Sequence, residues 1–407
     1  MFNRRTLLQL TSAAWLAACA PKPKDASKLN VVIVGAGIIG ASIAYHLSKL
    51  GAGVTIIDAV GPATQTSRGT FAWINATWAK QPRGYHALNQ AGVSSWMTLQ
   101  AELDIPVKWG GSLEWFSSAE RQSRLAAQIA EQADWGEPAS MLAADRLAEM
   151  EPSVDFGEAA SAAFSGNDGA VDPVLATETL ITAAQANGAV VKYPCELLDI
   201  SAAADGRQRV NTAHGVIEAD KVVLATGAAP DAARQHADIE LPQRSTPGVI
   251  AITKPMPPLL NRLIIAPGVH MHQRLDGRIV LGEQDGAPDN SAHAARLRHR
   301  PSDFPAPEFA AQHFQRIHAT ALQFVPGMQD AELEAAYIGW RPLPLDGHPV
   351  LGFSPNRENV YLAVMHSGVS LAPLVGQLVA QEVTSGTANA QLSDYRPGRV
   401  FERVKRY

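Results

Sequence analysis

The chain is 407 residues long, with 46% apolar residues, only 18% charged residues and a formal net charge of −5. That length suits two or three domains or two interleaved ones, and a chain this apolar buries a core large enough to exclude wholesale disorder. No basic tail or stripe speaks for a nucleic-acid partner, and two cysteines, Cys19 and Cys195, exclude a disulfide-stapled scaffold and a cysteine-based zinc site.

The first segment reads as an address. Asn3-Arg4-Arg5-Thr6 places a twin arginine before the short apolar stretch Leu7 to Ala18. That stretch is too short and too polar to span a bilayer, which takes about 20 apolar residues. A charged start, a short apolar run and small residues before a cleavage point make a signal peptide, and the twin-arginine kind exports bacterial proteins already folded. Leu16-Ala17-Ala18-Cys19 also resembles a lipobox, with Cys19 as the lipid-modified residue; an ordinary peptidase site with an incidental cysteine stands beside that reading. Residues 1–20 are expected to be the signal and 21–28 a polar tether. The expected location is the periplasm or cell envelope, with membrane contact only through Cys19.

A dinucleotide pattern begins at Leu29. The β-branched run to Val34 is a buried strand, Gly35-Ala36-Gly37-Ile38-Ile39-Gly40 follows it, and Ala41 to Leu50 carries apolar residues at helical spacing. Val54 to Asp58 is a second strand ending in an acid. In this context Gly35 serves the tight turn, Gly37 the close approach of backbone to a pyrophosphate, and Gly40 the packing of helix on strand. The N–H groups at Ile38 and Ile39 open the helix toward the phosphates, and Asp58 is placed to accept from a ribose hydroxyl.

Further on, Ile105 to Phe116 reads as short strands, and Ala119–Ala133 and Met141–Met150 as helices. Gly248 to Gly282 alternates β-rich runs with turns, including the hairpin signal Leu275-Asp276-Gly277-Arg278, and Pro305–Phe324 is helical. Three other segments stand out: Gly169-Ala170-Val171-Asp172-Pro173; Lys221-Val222-Val223-Leu224-Ala225-Thr226-Gly227; and Trp340-Arg341-Pro342 through Gly352, followed by Met365-His366-Ser367-Gly368-Val369-Ser370.

Taken in order with the glycine fingerprint, these segments resemble the FAD-dependent D-amino-acid oxidase family, the group of glycine oxidase, sarcosine oxidase and D-amino-acid dehydrogenase. The resemblance implies an α/β fold: an FAD-binding Rossmann-like domain interleaved with a smaller α+β substrate domain built on an antiparallel sheet. Residues 29–104, 160–240 and 337–400 would form the first, and 105–159 and 241–336 the second.

The family's Arg-Pro motif puts Arg341 on the substrate carboxylate, a role suited to a planar guanidinium that stays charged; a structural pairing of Arg341 with Asp346 is the alternative. Thr226, Gly227, Gly368, Val369 and Ser370 would approach the cofactor, and His366 would face the flavin or sit as an ordinary histidine at a helix start. His270 and His272 alternate on a strand and so share a face. Relatives hold a tyrosine at the place of His270, which makes substrate contact there an open question beside a plain polar strand face. No third ligand accompanies the pair, so no metal is expected. Ser67, Arg68 and Trp73 follow the second strand, where relatives wrap the cofactor, and the backbone at Leu197 would hold the adenine.

Without a cysteine in the C-terminal third, the FAD is expected to be non-covalent. The implied reaction moves a hydride from the Cα of an amino acid to the flavin N5, giving an imino acid and then a 2-oxo acid. Oxygen or a quinone or other carrier would reoxidise the flavin. A secondary amine or 2-hydroxy acid could be oxidised on the same scaffold, and a flavin-binding lipoprotein without activity is the reading from a different class.

Overall fold

The computed structural model describes residues 29–77, 80–229, 231–283 and 300–403. The expected signal, the tether and Cys19 lie outside them. Among the described residues no helix is long and apolar enough to cross a membrane.

Asn30–Val34 is buried at four of its five positions and pairs in parallel with Gly53–Ile57 on one side and Lys221–Leu224 on the other. Val190–Lys192, Val360–Val364 and Val350–Phe353 complete a six-stranded sheet, parallel except for the last pair. Continuous apolar strands of this kind need both faces covered. Helix Ile38–Lys49 covers one and packs on helix Gly368–Ser385, where Ser42 Oγ donates to the Ala372 carbonyl at 2.7 Å. A Cβ on Gly376 would collide with Ser42, so glycine lets these two helices meet. The C-terminal helix begins at Gly368.

The second sheet has eight strands, in the order Leu333–Pro344, Gln243–Thr253, Ile279–Glu283, Val269–Gln273, Leu263–Ala266, Ser112–Glu114, Ser161–Ser165 and Ala139–Ala143. It is antiparallel except for the pairing of Leu263–Ala266 with Ser112–Glu114. Ser161–Ser165 and Leu333–Pro344 belong to this sheet, so it takes residues from both sides of the boundaries expected at 160 and 337. The helix expected over Met141–Met150 is instead a strand, Ala139–Ala143, followed by helix Ala144–Met150; pairing with Ser161–Ser165 overrides the local helical pattern. The Asp276-Gly277 turn is present, with Gly277 at φ +90° joining two antiparallel strands.

One face of this sheet, carrying Ala251, Ile264, Met271 and Leu281, packs on Phe314, Ile317 and Ala321 of helix Pro307–Leu322. By alternation the other face carries His270, His272 and Arg341, and it is met by Phe71 from the nucleotide-binding half. Asp172 ties the halves together: one carboxylate oxygen caps helix Pro173–Ala186 through the Val174 and Leu175 amides, and the other accepts from Arg274 at 2.6 Å.

Candidate active site

The site is built where the first strand ends. Gly35 lies in the left-handed region (φ +109°), where a Cβ would run into the Ala225 carbonyl, and a Cβ on Gly40 would run into the Gly35 carbonyl. These two positions admit only glycine, because three backbone segments cross there. Gly37 is the N-cap of the first helix and offers no side chain; Ser67 Oγ, from the following loop, accepts from the Ile38 amide at 3.0 Å instead. The Asp58 carboxylate accepts from the amides of Ala36 at 2.8 Å and of Val60 and Gly61 at 2.9 Å. It therefore shapes the glycine turn, and of roughly four lone-pair sites on a carboxylate about one is left for a ribose hydroxyl.

These residues wall a cavity of about 630 Å³ that runs from Asp58, Glu196 and Leu197 past Thr226 and Gly227 to Met365, His366 and Gly368. Its size is that of a cofactor site. Gly227, at φ +56°, would point a Cβ into open space, and the N-termini of helices Ile38–Lys49 and Gly368–Ser385 both border the cavity. A glycine-cleared turn, two helix N-termini and an extended cavity fit a dinucleotide with a pyrophosphate at its middle.

The profile of the family described as DAO, FAD dependent oxidoreductase, matches residues 30–382. The chain belongs to this family of FAD-dependent oxidoreductases. It is similar to a glycine oxidase of Bacillus licheniformis, 25% identical over 88% of this chain and 93% of that one. It is also similar to a glycine oxidase of Geobacillus kaustophilus, 26% identical over 88% of this chain and 93% of the relative. The crystal structure of glycine oxidase from Bacillus cereus superposes with a TM-score of 0.78 at 22% identity, covering 92% of this chain and 100% of that one.

In this FAD-dependent oxidoreductase, Gly35, Gly37, Ile38, Ile39, Asp58, Ser67, Leu197, Thr226, Gly227, His366, Gly368 and Val369 all line the cavity. Gly40 lies just behind it. Three other candidates are used elsewhere. Arg68 donates twice to Asp303, at 2.8 and 2.9 Å, and lies 4.3 Å from the Tyr337 ring centroid, so its charge is turned away from the cavity. Ser370 is buried and staples the helix start to the preceding loop, accepting from the Asn75 amide at 3.0 Å and donating to the Trp73 carbonyl at 3.2 Å. The Trp73 indole donates to buried Asp168, which also accepts from Thr77 and from Ser112. Burial pushes the Asp168 carboxyl up to about 6 despite these donors.

Arg341 and His270 lie on the sheet face rather than in the cavity wall, although the neighbours Trp340 and Pro342 do line it. The register explains the arrangement. Gly248 pairs with Gly339, His270 with Gly282, and Thr246 with Arg341, all on one face. The Arg341 guanidinium lies flat over Gly248, where a Cβ would sit 2.8 Å from Nη2, and the His270 ring lies over Gly282, where a Cβ would strike Nε2. Gly339 is covered by the Gly69 backbone, and the Phe71 ring meets those of His270 and His272 at 4.4 and 4.8 Å. Burial, reinforced by the Arg341 charge, holds His270 down to about 3, so it is neutral. His272 is likewise lowered to about 3 by burial, and its Nε2 lies 3.0 Å from the Phe71 carbonyl.

Asp346 pairs with Arg399, at 2.8 and 3.1 Å, and not with Arg341. No carboxylate among the described residues pairs with the Arg341 guanidinium. Phe71, Gly248 and Gly282 went unnoticed in the sequence. Their importance comes from cross-strand register and from contacts between the halves, which leave no local signal.

Proposed function

We propose that this FAD-dependent oxidoreductase oxidises the C–N bond of an amino acid, a D-amino acid or a glycine-like one, to an imino acid that water hydrolyses to a 2-oxo acid and ammonia. The observation that carries the reading is Arg341: a largely buried guanidinium laid over Gly248, without a carboxylate partner among the described residues, beside a histidine held neutral. Such a fork accepts one carboxylate through two parallel N–H donors and remains charged even though burial lowers its pKa. Neutral His270 adds no second charge, which suits a substrate carrying a single carboxylate here.

Bound FAD supplies the acceptor for the hydride. The residues supply position: Arg341 fixes the carboxylate and with it the direction of the Cα–H bond, so part of the barrier is removed by orientation. The amides at the start of helix Gly368–Ser385 offer donors to negative charge at the cavity end they border. The FAD is proposed to be non-covalent. The twin-arginine segment supports export of the folded, loaded protein to the cell envelope, with Cys19 as a lipid anchor and oxygen or a quinone as acceptor.

The test is anaerobic addition of D- and L-amino acids, secondary amines and 2-hydroxy acids to the purified holoenzyme. Bleaching of the flavin by an α-amino acid supports the reading. Bleaching by 2-hydroxy acids alone replaces it.

A further inference from the structure

We propose that Arg300 is a cofactor-binding residue whose guanidinium pairs with the anionic phosphate oxygens of FAD. The cavity walls bring together three carboxylates, Asp58, Glu196 and Asp231, but Arg300 is the sole lysine or arginine among the described residues that line them. A cofactor carrying a doubly charged pyrophosphate has to enter these surroundings, and helix N-termini supply only partial charges. Arg68, the arginine to which the sequence pointed, is taken up by Asp303.

Arg300 is held in place by neutral groups. Its Nη1 donates to the Ala228 carbonyl at 2.9 Å, and its guanidinium carbon lies 5.6 Å from the Trp340 ring centroid. The tryptophan is fixed in turn: its indole donates to the Pro301 carbonyl at 3.0 Å, and the Ile338 amide donates to the Ser302 carbonyl at 3.0 Å. Among the described residues no carboxylate pairs with Arg300. A half-buried guanidinium that is immobilised at a cavity wall and paired with no described carboxylate is complementary to an anion, and the fork beyond the Ala228 contact matches phosphate geometry. The same contacts lay residues 300–302 along strand Leu333–Pro344, so the charge reaches the cofactor from the second half of the molecule.

The test titrates apoprotein with FAD and with riboflavin, which has no phosphate, at low and high salt. Arg300→Gln should raise the Kd for FAD roughly tenfold to a hundredfold, leave riboflavin binding unchanged and flatten the dependence of FAD affinity on salt. Arg300→Lys, which keeps the charge and loses the fork, should stay within about fivefold of the wild type for FAD, with the salt dependence retained. An unchanged Kd for FAD in Arg300→Gln overturns the proposal. So does a parallel loss of FAD and riboflavin binding in either variant, which would mean that Arg300 only tethers Ala228 and Trp340. If the glutamine variant does not fold, Arg300→Met, which also removes the charge, is titrated in its place and decides by the same FAD-to-riboflavin comparison.

Discussion

The two sheets use glycine for opposite purposes. In the parallel sheet, Gly35 and Gly40 clear space for backbone, so that a strand, a helix start and the Ala225 carbonyl can cross beside a ligand. In the antiparallel sheet, Gly248 and Gly282 clear space for side chains, letting Arg341 and His270 lie flat on the strands. The first use preserves a backbone shape that many chains share. The second tailors a surface, the one that carries the proposed substrate contact of Arg341.

The difference yields predictions of graded size. Replacing Arg341 by Met should cost roughly 2–5 kcal/mol in kcat/KM for an amino acid, while FAD content stays at the wild-type level. Gly35→Ala should do the reverse and act on the cofactor. A positive φ and a collision with Ala225 cannot both be relieved, so the purified protein should be largely colourless, with a loss of at least about 1–3 kcal/mol in stability measured by urea unfolding.

Asp168 sits at the seam, joining Trp73 and Thr77 of one half to Ser112 of the other. Its carboxyl is raised from 3.8 to about 6, so the folded state holds the proton more tightly than the unfolded state does. Its contribution is therefore fullest below about 3.8 and is lost as pH climbs through about 6. Relative to Asp168→Asn, the wild type should lose roughly 2–3 kcal/mol between about pH 4 and 7, read from unfolding midpoints at each pH. Gly282→Ala should displace the His270 ring and lower kcat/KM about tenfold at unchanged FAD content, since only a side chain has to move. Arg68→Gln, which breaks a pair whose aspartate is mostly exposed, should change stability by less than about 1 kcal/mol.

The same contrast explains what could be read from the sequence. The glycine turn, Asp58 and the strand before Thr226 were legible because they depend on residues adjacent in the chain and on strand and helix periods. The Arg-Pro motif marked Arg341, yet neither its bed on Gly248 nor the neutrality of His270 was visible. Both depend on which residues pair across strands far apart in sequence: Gly248 lies opposite Gly339, and His270 opposite Gly282. Arg68 and Ser370 engage Asp303 and the Trp73–Asn75 backbone, partners that no local pattern shows because they are met only when distant segments dock. Of the helix expected over Met141–Met150, only Met141–Ala143 falls in a strand, because Ala, Met and Leu favour helix until a neighbouring strand is present.

The central claim is that a carboxylate held by Arg341 orients the substrate. The most direct measurement is the rate of anaerobic flavin reduction by an amino acid and by its amide, which lacks the carboxylate, in the wild type and in Arg341→Met. The account predicts that the wild type strongly prefers the acid and that the variant treats both nearly alike. Equal rates for acid and amide in the wild type would contradict it.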